Sequence, residues 1–74
     1  MNTIELNKRI NHQQEKNTAK HGSSQPTGTL ILELEDQVIK LRNAFLHTAE
    51  IEVIEERIVN IGALTRAIAE SLDR

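Results

Sequence analysis

From Leu30 onward the chain carries two heptad ladders of apolar residues whose phases do not match. The first ladder reads Ile31, Leu34, Val38, Leu41 and Phe45, with Thr48 as its last rung. The second reads Ile51, Ile54, Ile58, Ile61, Thr65, Ile68 and Leu72. Steps of three and four alternate in both, the signature of an amphipathic helix, but between Thr48 and Ile51 a second step of three replaces a four. A straight helix continuing the first face would present Glu52, Glu55 and Glu56 where a partner needs hydrocarbon. The chain must therefore bend, turn or change partner near residues 47–51. This predicts an all-α fold, an antiparallel helical hairpin with helices over residues 30–47 and about 50–73 and no strand.

The first 29 residues contain only Met1, Ile4, Leu6, Ile10 and Ala19 as apolar side chains, against 23 of the last 45, so burial stabilises the second part and hardly the first. The division falls in the Gly, Pro and Ser-rich stretch from His21 to Gly28. Residues 1–29 are thus read as a polar N-terminal arm with a linker, and residues 30–74 as the hairpin domain. Within the arm, Asn2 followed by Glu5 resembles a capping box, and Leu6 and Ile10 stand one turn apart, which allows a short helix over residues 3–16. Because the arm holds so few apolar groups, its removal is expected to leave the hairpin intact.

Thr29 suits the N-cap of the first long helix, and Asp36 and Lys40 form a favourable i,i+4 pair on it. His47, Thr48, Ala49 and Glu50 contain no helix breaker, so the connection is either one bent helix or a very tight turn with Thr48 as cap. Leu34, Val38, Leu41, Phe45, Ile54, Ile58, Ile61, Leu64, Ile68 and Leu72 are the expected core and oligomer interface, and truncating Phe45, the largest, is expected to cost about 3–5 kcal/mol. Leu32, Ile39 and Leu46 form a further stripe, Val59 widens the face of helix two, and Gly62 with Ala63, Ala67 and Ala69 offers a shallow surface for close approach. A lone hairpin buries only one stripe of each helix. Pairing into a four-helix bundle, as a homodimer, covers both.

Catalytic chemistry is thin. The chain has no cysteine, which excludes disulfides and thiolate metal sites. His12, His21 and His47 share no helical face with a second ligand at metal-binding spacing. Glu52 and Glu56 are i,i+4 neighbours, yet with Glu50 and Glu55 they read as a solvated helix start favoured by the helix dipole rather than an acid/base pair. Ser23 and Ser24 lie in the linker without a base, and Gly22 to Gly28 contains no phosphate-binding fingerprint. No enzyme activity, metal or cofactor is expected.

The formal net charge is −2. Lys8, Arg9, Lys16 and Lys20 make the arm basic and could contact phosphates, which gives a nucleic-acid-binding regulator as one alternative. Against it, the only aromatic residue is Phe45, on a core rung, so no stacking platform exists. The longest apolar run, Leu30 to Leu32, is far too short to span a bilayer, and a soluble cytoplasmic protein is expected.

What remains is a non-enzymatic interaction module: a small regulator or accessory factor, working as a homodimer, that lays helical faces on another protein. Its concentrated acidic surface, Glu50, Glu52, Glu55 and Glu56, is the expected place for a basic patch of that partner. The overall design is comparable with small helical-hairpin dimers such as Rop and with the short helical co-chaperones of type III secretion, which gives a secretion-type chaperone or adaptor as a further alternative. The comparison is one of architecture, with no motif matched residue by residue.

Overall fold

The computed structural model describes residues 2–21, 26–47 and 49–73, the side chains of 18–21 excepted. Every element among them is a helix: α1 spans Thr3–His21, α2 Thr27–Leu46 and α3 Ile51–Leu72. Thr48 and residues 22–25 of the linker lie outside the described residues.

α1 begins as its spacing requires, with the Asn2 Oδ1 accepting from the Glu5 N–H at 2.8 Å. It does not stop at residue 16, however, and it is not a free arm. Leu6 and Ile10 dock on α3, where Ile10 joins Val59 and Ala63 in a buried cluster. Beyond them the polar turns are held by amides: the Gln14 Nε2 donates to Glu70 at 2.9 Å, and the Gln13 Nε2 donates to the Asn17 Oδ1 at 3.0 Å. Two apolar contacts and a row of Asn and Gln side chains thus fix a 19-residue helix whose composition alone offers no continuous apolar face.

α2 starts at Thr27, ahead of the expected cap at Thr29, and its N-cap is Pro26. Leu30, the expected first residue of the helix, lies a turn further in and is buried. Thr27 does not serve as a cap; its hydroxyl shares a hydrogen bond with the hydroxyl of Ser71. The start of α2 therefore lies against the end of α3, and the two helices run in opposite directions. Their connection is a tight turn. The Ala49 N–H reaches back to the Ala44 carbonyl at 2.9 Å, and the Glu50 carbonyl accepts from Val53 at 3.0 Å to open α3. Glu50, not Thr48, holds the N-cap position.

α3 is the central helix. α1 and α2 both pack on it, and no Cα of α1 comes within 8 Å of one in α2 among the described residues. α1 runs parallel to α3, since Arg9, Ile10 and Gln14 meet Glu55, Gly62 and Glu70 in rising order. The close approach depends on Gly62: a Cβ there would stand 2.8 Å from the Ile10 Cγ1. Ala63, beside it, has no exposed surface at all. Of the shallow patch visible in the sequence, Gly62 and Ala63 are the seat of α1, while Ala69 is exposed.

The seat makes a test with a change of sign. Gly62→Ala gains about 1 kcal/mol of helix propensity but forces a methyl group into Ile10, a strain worth about 1–3 kcal/mol. We expect the substitution to lower stability in the wild-type background and to raise it in an Ile10→Ala background, as read by chemical denaturation. A gain in both backgrounds contradicts the docking of α1.

Candidate interaction surface

Packing on α3 selects a face of α2 that is turned from the ladder expected to fill it. Leu30 is buried there, and Leu34, Gln37, Leu41 and Ala44 are half-buried. Leu34 and Leu41 belong to the expected core; Val38 and Phe45 do not reach the intramolecular interior. Together with Ile31, Leu32, Ile39 and Leu46 they lie between 43% and 70% exposed, Phe45 at the upper limit. The tight turn and the Thr27–Ser71 contact set this rotation, because they align the row Leu30, Leu34, Leu41 with α3.

α3 shows the same division. Its interior residues are Val59, Ala63 and Leu64. Of these only Leu64 was expected in the core, and Val59 and Ala63 carry signals the sequence does show, as a widened apolar face beside a glycine. The second ladder points elsewhere. Ile51 and Leu72 are 67% and 71% exposed, Ile58 and Thr65 are exposed, and Ile54, Ile61 and Ile68 are half-buried. In the single chain Ile58 and Leu72 therefore stand outside the core as well.

The two exposed sets share one side of the molecule. A residue turns by roughly 100° per position along a helix, so the ladder of α3 faces away from the Val59–Ala63 side that holds α1. Across the seam, the antiparallel run from Thr27 beside Ser71 brings Ile31 near the level of Ile68, Val38 near Ile61 and Phe45 near Ile54. The result is a two-helix apolar face, with the Leu32, Ile39, Leu46 row continuing around the edge of α2.

The expected charged sites fare unequally. Glu50, Glu52 and Glu56 are exposed at the start of α3, but Glu55 turns to α1 and pairs with Arg9 at 3.6 Å. The same contact draws Arg9 away from the basic set. Lys8 and Lys16 are exposed on α1, and the side chain of Lys20 lies outside the described residues, as does that of His21. Arg66, on α3, donates to the Asn7 and Asn11 amide oxygens and thereby clamps α1. Lys40 and Asp36 form the expected i,i+4 pair at 2.9 Å. Ser23 and Ser24 lie outside the described residues; among those described, no three His, Asp or Glu side chains converge on a metal site. No helix among them is long and apolar enough to cross a membrane.

Compared with protein-family models, curated proteins and solved structures, the chain finds no match.

The position of Phe45 changes what its truncation does. In dilute, isolated chains Phe45→Ala should shift the unfolding free energy by about 0.5 kcal/mol or less, as at other exposed sites. A loss of about 3–5 kcal/mol under the same dilute conditions, measured by denaturant titration, would place Phe45 in the intramolecular core.

Proposed function

We propose that this protein is a non-enzymatic interaction module, a small regulator or accessory factor that works as a homodimer and binds another protein through its helical faces. The observation that carries this reading is the open apolar ladder of α3, with Ile51, Ile58 and Leu72 exposed on a helix whose other two sides are occupied. Large exposed apolar patches on small proteins mark sites of association. Pairing α2 and α3 of two copies gives a four-helix assembly, the arrangement that removes most aliphatic surface from water.

The acidic start of α3 adjoins the ladder and supplies selectivity. Glu50, Glu52 and Glu56 steer encounter with a basic patch, while the isoleucines supply affinity. Glu55 contributes less, since Arg9 already neutralises it.

Capture experiments on the full chain test the reading. Immobilised wild type is compared with Ile58→Lys, and with a variant in which Glu50, Glu52, Glu55 and Glu56 are all glutamine. Because Ile58 lies at the surface, the lysine variant should keep its helical circular dichroism and lose a discrete captured partner. The glutamine variant should capture that partner more weakly at low salt. Equal capture by all three chains, or none by wild type, contradicts the proposal.

A further inference from the structure

We infer that α2 is the self-association element, and that it pairs with α2 of a second copy in antiparallel orientation about a two-fold axis passing beside Val38 and Ile39. This rests on the homodimeric reading above and specifies the surface and the register.

The exposed stripe of α2 is symmetric about its own centre. One row is Ile31, Val38 and Phe45, the other Leu32, Ile39 and Leu46, and all six are exposed. Between the rows stand Glu35 and Arg42, also exposed and at equal distances from the centre. A two-fold axis there places Val38 and Ile39 against their own copies, Ile31 against Phe45 of the second copy, and Leu32 against Leu46 of the second copy. Glu35 then meets Arg42 of the second copy, twice. A parallel in-register pairing sets Glu35 against Glu35 and Arg42 against Arg42, two pairs of like charges in an apolar setting, and is disfavoured. Neither side chain has an ion-pair partner among the described residues, so both charges are available.

α1 lies along α3, away from α2, and leaves the α2 stripe uncovered.

Charge exchange and cross-linking test the pairing in the full chain. Sedimentation equilibrium should give a dimer for wild type, weakened at least tenfold by Arg42→Glu and by Glu35→Arg separately. The double exchange Glu35→Arg with Arg42→Glu should restore dimerisation to within a few fold. A merely structural role for either residue predicts that the double variant is worse than both singles.

Orientation is read by single cysteines, since the chain has none of its own. Val38→Cys, beside the axis, should form a disulfide-linked dimer under mild oxidation. Leu32→Cys should not, because antiparallel pairing holds the two copies of that residue about 20 Å apart along the helix. A monomer at every concentration, equal cross-linking at both positions, or no rescue by the double exchange overturns the inference. Partner capture reads the interaction proposal separately, so either can fail without the other.

Discussion

The seating of Ile10 over Gly62 is the contact on which the rest of the arrangement depends. α1 is mostly polar and has no continuous apolar stripe to hold it, so it needs a site where one large side chain can approach a neighbouring backbone closely. Gly62 and Ala63 provide that site, and Val59 closes it from below. Once α1 occupies this side of α3 and α2 occupies another, the isoleucine ladder is left on the third. The open apolar face is therefore a consequence of how α1 docks, and not of a shortage of helices to cover it. The clamp of Arg66 on Asn7 and Asn11 fixes the same choice from the polar side.

Much of this was legible in the chain. The phase break between Thr48 and Ile51 marks the turn between α2 and α3, because a helix cannot keep two unmatched ladders on one face. The Asn2 and Glu5 spacing marks the start of α1. Less legible was which of several apolar rows would face inward. α2 carries Leu30, Leu34 and Leu41 beside Ile31, Val38 and Phe45, rows separated by a single residue, and periodicity cannot rank them. The winner is set by the turn geometry and by Thr27 meeting Ser71, which are tertiary facts. The length of α1 was hidden for a related reason. Its polar half is stabilised by amide hydrogen bonds to α3, and such contacts leave no period in the sequence.

The same ambiguity separates two kinds of stability. The interior of the single chain holds few side chains, Ile10, Leu30, Val59, Ala63 and Leu64, whereas Phe45 and at least twice as many large aliphatic groups stand on the outside. A chain built in this way has a modest core of its own and a larger apolar surface in reserve. In the proposed dimer, association would supply burial that the monomer lacks, and the charges set among the exposed residues, Glu35 with Arg42 on α2 and the acidic start of α3, would select orientation and partner.

If that coupling of folding to association is correct, the thermal stability of the protein must depend on how much of it is present. Circular dichroism melting of the full chain across a thousandfold range of concentration measures this directly. A Tm that rises steadily with concentration is the predicted result. A Tm that stays constant over the whole range, with a cooperative transition, would show that the single chain is complete in itself and that its exposed ladders contribute nothing to its stability.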